Sequence, residues 1–357
     1  MLKILCTAEF DKEYMSALSE FAEVRQRGFS VNQDFREMLS KEELISELED
    51  TDIFIVGYDK VTNDIIKASP DLKLILSVRD GPEENIDVRT CTELGIPVLF
   101  SAGRCQHVVP EHTMMMILAS ARPLIWANHA LYSGLWSKEM EAGNPDQYFS
   151  FYKHIDQSRE IYGKTLGLVG AGRNGIGLAK LAHAFGMEVI AYDPYADKEK
   201  LREQNITLTD LMTVMSSADY VCMMARVSPE TTRMIGAKEL NAMKPDSCFI
   251  NTGRAALVDT HALLEILRTG RIRAAIDVYD EEPISHNNPF LQLDPNRVLL
   301  TPHFAGCSVE RITFQSRGVV ENIRNFLKGL RNNHIYDQHV FDSPEFPSHG
   351  GILWNTK

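Results

Sequence analysis

The chain has 357 residues, 44% hydrophobic and 24% charged, the make-up of a globular protein of about two domains. Its formal net charge of −12 argues against nucleic acid and anionic membrane surfaces as main partners. It leaves open small anionic substrates, for which a local cationic pocket suffices.

In chain order, "KILCT", "DIFIVG", "KLILSV" and "IPVLF" read as buried strands, with the helical segments "SKEELISELED" and "TNDIIKAS" among them. That alternation predicts parallel α/β layers. The stretch from Arg122 to Gly163 is aromatic-rich with few strand signals. A second series starts at Lys164, with "KTLGLVG", "MEVIAYD", "DYVCMMA", "DSCFINT", "RIRAAIDVY" and "RVLLT" as strands. "SVERITFQSRGVVENIRNFLKG" predicts a long amphipathic helix, and Leu330 to Lys357 carries no clear pattern. The six cysteines, at 6, 91, 105, 222, 248 and 307, show no CxxC or CxxH spacing, so neither a metal site nor a dithiol motif is expected. The start, "MLKILCTAEFDKE", turns charged too early for a signal peptide, and no apolar run approaches the roughly 20 residues that span a bilayer. The expectation is a cytoplasmic protein with reduced thiols.

The most specific stretch by physics alone is "LGLVGAGRNGIGLAKLAHAFGMEVIAYDP". Gly170-x-Gly172-x-x-Gly175 follows a strand and opens a helix, and Asp193 ends the next strand eighteen residues later. Strand, glycines, helix, strand and acid in that order form a dinucleotide fingerprint. The glycines allow a tight turn, close approach of backbone to a pyrophosphate, and helix–strand packing. Arg173 and Asn174 open the helix, whose N-terminus offers unpaired N–H groups to phosphates. Asp193 would accept bonds from the adenosine ribose and repel a 2′-phosphate, favouring NAD over NADP.

From Gly170 onward the chain resembles the D-isomer-specific 2-hydroxyacid dehydrogenases. The resemblance is carried by "VGAGRNGIG", "MKPDSCFINTGRAALVDTHALLEILRTGRIRAAIDVYDEEP", "LLTPHFAG" and, upstream, "ENIDVRTCTELGIPVLFSAGRCQHVVPEHTMMMILA". It implies two doubly wound parallel-sheet domains, a dinucleotide-binding (Rossmann) domain inserted into a flavodoxin-like substrate domain. The expected boundaries are 1–110 with 308–357 for the substrate domain and 111–307 for the NAD-binding domain, with a dimerisation region over about 111–162. It further implies a homodimer, with no nucleic acid or membrane partner, that transfers hydride reversibly between NADH and a small 2-oxo acid. Carried over by position, the family's catalytic arginine falls on Arg254, its glutamate on Glu282 and its histidine on His303. Asp277 falls where the nicotinamide carboxamide is bound, and Thr252 beside the nicotinamide ribose.

The chemistry explains these residue types. Reduction of a 2-oxo acid leaves negative charge on the former carbonyl oxygen, and histidine is suited to protonate it. A carboxylate beside that histidine fixes its tautomer. A guanidinium grips the substrate carboxylate through paired hydrogen bonds. Some positions depart from the family pattern. Met224, Ala225, Arg226 and Val227 precede "SPETT" where a His-x-Pro-Leu run is usual, and Arg226 would tolerate a 2′-phosphate. Asn174 replaces a branched apolar residue. In the substrate loop, Asp80 joins Arg79 and Gly81; Arg79 and Arg104 would serve a second anionic group. Two alternatives stay open: a phosphoglycerate dehydrogenase, expected without a serine-sensing domain because the chain stops soon after the last helix, and an NAD(H)-sensing corepressor-like binding protein. A formate dehydrogenase is disfavoured, since that branch carries glutamine at the position of Glu282.

Overall fold

Apolar runs of four or five residues become strands buried on both faces, as parallel sheets covered by helices require. β1 (Leu2–Cys6), β2 (Ala22–Gln26), β3 (Ile53–Val56), β4 (Leu74–Ser77) and β5 (Val98–Phe100) form one all-parallel sheet in the order β2-β1-β3-β4-β5. This is the flavodoxin-like order. β6 (Thr165–Val169), β7 (Glu188–Tyr192), β8 (Thr207–Leu208), β9 (Tyr220–Met223), β10 (Cys248–Asn251), β11 (Arg273–Ile276) and β12 (Val298–Leu300) form a second parallel sheet, ordered β12-β11-β10-β9-β6-β7-β8. The computed structural model describes residues 1–330 and 334–354; residues 331–333 and 355–357 of the expected substrate domain lie outside the described residues.

The chain divides into one unit of Met1–Arg104 with Ser308–Lys357 and another of Cys105–Cys307. The first division precedes the boundary expected after residue 110 by a few residues. The reason is packing: a Cβ built on Gly177 would lie 2.8 Å from Pro110 Cγ, so this stretch is seated against helix Arg173–Ala184 of the second unit.

In the first unit, helix Glu310–Leu327 places Val319, Val320, Ile323 and Phe326 in a core with Ile4, Ile53, Leu74 and Leu99. β2 has no counterpart among the expected strands. Its sequence, "AEVRQ", is half polar, which the edge of a sheet tolerates, and Glu23 there is exposed. The tail, which carried no clear pattern, continues the opposite edge. Tyr336 donates its N–H to Val98 O (2.9 Å), and Phe100 donates its own to His334 O (3.0 Å). Further on, Phe346 lies against Gly95, which has φ of +67° and no room for a side chain: a Cβ would stand 2.3 Å from Phe346 N.

In the second unit, Met116, Ile117, Leu178, Ala179 and Ala182 cover one face of the sheet, and Val214, Leu240, Leu263 and Leu267 the other. The aromatic-rich stretch forms helices Leu124–Tyr132, Lys138–Gly143 and Pro145–Ile155, leaving Leu124, Ile125, Leu131, Tyr132 and Phe149 exposed. No helix among the described residues is long and apolar enough to cross a membrane.

The tail contact yields a stability prediction. A left-handed residue with a Cβ costs about 1–2 kcal/mol, and the clash with Phe346 adds to it, so Gly95→Ala should destabilise the first unit by about 2–4 kcal/mol. Thermal unfolding should shift down and the tail should become sensitive to limited proteolysis. An unshifted transition with a protected tail would show that the tail does not depend on this contact.

Candidate active site

The order of the second sheet places the chemistry. Connections run outward from β6 to β7 and β8 on one side and from β9 to β12 on the other, so the direction of winding reverses between β6 and β9. In open α/β sheets, ligands bind outside the carboxyl ends of the strands at such a reversal. The glycine loop leaves β6 there. Gly170 has φ of +100°, and a Cβ on it would lie 2.5 Å from Ala225 N, so only glycine lets the β9 loop cross so close. A Cβ on Gly175 would lie 2.6 Å from Gly170 O. Gly172, by contrast, borders open space and stands at the N-cap of helix Arg173–Ala184 with no side-chain cap. The first turn of that 12-residue helix, which Arg173 and Asn174 open, points its backbone N–H groups toward that space, as any α-helix start does. This cradle fits the pyrophosphate of NAD. Asp193, just past β7, accepts bonds from Ala171 N (2.8 Å) and Tyr195 N (3.0 Å). Its carboxylate thus stands beside the glycine loop. Arg226 is exposed in the β9 loop.

The other half of the sheet carries the candidate reacting groups. Past β10, Asn251 fastens the next turn: its Nδ2 donates to Arg254 O (3.0 Å) and its Oδ1 accepts from Gly253 N (3.1 Å). Arg254 is exposed, and its Nη1 donates to Gly253 O (2.8 Å). Thr252 is buried, its hydroxyl 2.8 Å from that of Thr113. β11 ends at Ile276, and the acids after it separate. Asp280 and Glu281 are exposed in the turn. Glu282 accepts Tyr279 N–H on Oε1 (2.9 Å), and its Oε2 lies 2.5 Å from His303 Nδ1. The structure therefore brings Glu282 and His303 into direct contact from the ends of adjacent strands. His303 holds a left-handed backbone (φ +50°), uncommon for a residue with a side chain.

Asp277, expected where the nicotinamide carboxamide binds, is engaged by the protein itself. It has no exposed surface, and its carboxylate accepts from Thr301 Oγ1 (2.6 Å), Phe304 N (3.1 Å) and Ala305 N (3.0 Å). It secures the loop on both sides of His303. His112, which the sequence reading passed over, faces it: the ring packs edge-on against Phe304, and Nε2 is 3.6 Å from Asp277 Oδ1. Burial pushes the His112 imidazole below its ordinary value, with Asp277 opposing. The missed signal was the polar pair His112–Thr113 inside the apolar helix Val108–Ala121, both of which are buried.

Among the candidate substrate residues of the first unit, Arg79 is ion-paired with Glu84, and its guanidinium lies 5.9 Å from the Tyr58 ring centroid. Asp80 Oδ1 accepts Gly103 N–H (2.7 Å), linking the loops after β4 and β5. Gly81 is half-buried and opens the turn Pro82–Glu84. Arg104 Nη1 donates to Gln315 Oε1 (3.1 Å).

Residues 114–305 match the family profile described as D-isomer specific 2-hydroxyacid dehydrogenase, NAD binding domain. D-3-phosphoglycerate dehydrogenase of Methanocaldococcus jannaschii is 35% identical over 92% of this chain and 58% of its own length. Glyoxylate reductase of Thermococcus litoralis is 33% identical over 80% of this chain and 83% of its own. This chain spans little more than half the length of the phosphoglycerate dehydrogenases it matches. Among solved structures, D-lactate dehydrogenase from Aquifex aeolicus, complexed with NAD and lactic acid, superposes with a TM-score of 0.71 at 26% identity, covering 91% of this chain and 96% of that one.

Neutral burial of His112 has a consequence for stability. With its folded value below the unfolded value near 6.5, the unfolded chain binds the proton first as pH falls. Stability should therefore be lost as pH drops below about 6.5, and His112→Gln should remove that component. Urea midpoints of parent and variant between about pH 7.5 and 5 test it: parallel curves would show that His112 protonates equally in both states.

Proposed function

The chain belongs to the D-isomer specific 2-hydroxyacid dehydrogenase family, and from that premise we propose that it is an NAD-dependent D-2-hydroxyacid dehydrogenase, working as a reductase of small 2-oxo acids. The observation that carries the proposal is the Glu282–His303 contact at the ends of β11 and β12, on the sheet edge that also presents Arg254 and the glycine loop. NADH, when bound, supplies the hydride that such a reduction needs. Arg254 grips the substrate carboxylate and polarises the neighbouring carbonyl. Glu282 holds Nδ1 of His303, which leaves Nε2 to give its proton to the carbonyl oxygen in reduction and to take it back in oxidation. Asp277 and the Thr113–Thr252 pair set the floor of the nicotinamide side. Asp193 selects NAD through the adenosine ribose, against the tolerance that Arg226 brings.

Arg79, Asp80, Gly81 and Arg104 are the substrate-facing residues of the first unit under this reading. Glu84 already neutralises Arg79, which favours a small uncharged substrate side chain over a phosphorylated one. The exposed apolar side chains of the helices within 124–155 support homodimerisation there; a cytoplasmic location is part of the same reading.

The test is a panel of 2-oxo acids, from glyoxylate and pyruvate to hydroxypyruvate and its 3-phosphate, offered with NADH and with NADPH. Steady NADH oxidation with a small unphosphorylated acid is expected. NADH binding without turnover would favour the sensor reading. Arg254→Ala removes a charged paired hydrogen bond worth about 2–5 kcal/mol, so kcat/KM should fall by roughly 30- to 4,000-fold with NADH affinity retained. Near-normal turnover in that variant would take Arg254 out of the site.

General acid–base catalysis contributes typically about 10²- to 10⁴-fold, and Glu282→Gln loses the carboxylate that orients its agent. The turnover of Glu282→Gln should drop by about 100-fold or more, whereas Asp280→Asn and Glu281→Gln should stay within about twofold of the parent. If Glu281→Gln is the damaged variant instead, the working acid is the neighbour.

A further inference from the structure

Two exposed side chains with no part in that chemistry meet at the adenosine end of the same sheet edge. Tyr195 Oη donates to Glu230 Oε2 at 2.6 Å, although the ring is 80% exposed. Each end is separately anchored. Tyr195 N–H donates to Asp193 Oδ1 at 3.0 Å, so the ring starts from the acid expected to meet the ribose. Glu230 lies in a turn of the β9 loop whose shape does not depend on it: Thr231 Oγ1 accepts Ser228 N–H (2.7 Å) and donates to Arg226 O (2.6 Å). In the sheet, β6 lies between β7 and β9. The phenol–carboxylate bond therefore bridges two loops that flank the carboxyl end of β6, where the glycine loop departs. The approach of Ala225 to Gly170 shows how closely those loops converge.

An exposed bond of this kind adds little to fold stability, since water competes for both partners and the side chains lose freedom. Its position gives it another use. Glu230 also raises the Tyr195 phenol above its ordinary value, so the phenol remains a donor near neutral pH. We propose that Tyr195 and Glu230 form a clasp across the adenosine half of the dinucleotide site, and that Glu230 acts with Asp193 to disfavour a phosphate on the adenosine ribose. The clasp rests on the reading of the glycine loop and Asp193 as an NAD site. It retains the cofactor by closing the gap between the β7 and β9 loops. Its carboxylate opposes the Arg226 charge carried on the same turn, which accounts for how an arginine can sit there without inviting NADPH.

Dissociation constants decide this, measured calorimetrically for NADH, NADPH and ADP-ribose with the parent, Tyr195→Phe and Glu230→Gln. Tyr195→Phe keeps the ring and loses only the hydroxyl, so NADH and ADP-ribose should weaken together by about three- to tenfold. Glu230→Gln keeps an acceptor for the phenol but loses the charge, so the preference for NADH over NADPH should narrow by about two- to fivefold. Both variants should melt with the parent. Tyr195→Phe binding NADH and ADP-ribose like the parent overturns the clasp, as does weakening of NADH alone, which would place the effect on the nicotinamide half. An unchanged cofactor ratio in Glu230→Gln overturns the role in selectivity. A parent that binds no dinucleotide overturns the functional reading itself, an outcome distinct from a binding parent with indifferent variants.

Discussion

The buried carboxylate of Asp277 is the contact on which the reacting end of the site depends. An acid with no exposed surface is unfavourable unless its oxygens find donors, and here three are supplied by one short loop, Thr301 to Ala305. The loop is fixed in return. Its central residue, His303, sits in a left-handed conformation that the backbone would not choose alone, and bonds on either side of it hold that shape. Tyr279 adds to the same junction, donating its hydroxyl to the carbonyls of Ile276 and Thr301. The result is a histidine whose backbone is determined from within the sheet and whose ring is then oriented by Glu282. Precision at a proton-transferring group comes from such a supporting shell rather than from the group itself.

The sheet edge has two ends with opposite tasks. Toward β10, β11 and β12 it presents Arg254, Glu282 and His303, groups able to bind an anion and pass a proton. Toward β6 and β7 it presents backbone N–H groups and then an acid, a combination that accepts phosphates and ribose hydroxyls in sequence. The reversal of winding between β6 and β9 separates them, and there glycine at 170 and 175 admits backbone closer than any Cβ would allow, while Gly172 borders open space.

The legible parts of the sequence are those whose chemistry is local. The glycine fingerprint, the turn after β10 with Arg254 and the acid run after β11 are each fixed within a few residues, so their patterns stand out in one dimension. Most of the parallel strands were readable because burial on both faces leaves an unbroken apolar run. What escaped were elements defined by distant partners. β2 and β8 are, respectively, half polar and two residues long, and only pairing makes them strands. The tail has no periodicity because its ordering comes from the edge of β5 and from Gly95, some 250 residues earlier in the chain. His112 and the Tyr195–Glu230 bond belong to the same class, since a histidine in an apolar helix and a tyrosine after Asp-Pro say nothing about what faces them.

The acid run after β11 shows the same lesson at the scale of one turn. Asp277, Asp280, Glu281 and Glu282 differ little as letters, yet one is buried among donors, two are solvated and one is paired with an imidazole. Position relative to the strand end decides among them. That selectivity matters in a chain with a net charge of −12 that, under the proposed function, takes anionic ligands. The field of the whole molecule opposes their approach, but at physiological salt it is screened beyond about 8 Å. Within that distance the local arrangement governs. Under the proposed function a helix N-terminus and Arg254 supply the attraction, while Glu282 is paired with His303 and Asp277 is occupied by the loop donors. The acids closest to the candidate reacting end are thus the ones already engaged, which under that reading lets an acidic protein keep a site for acids.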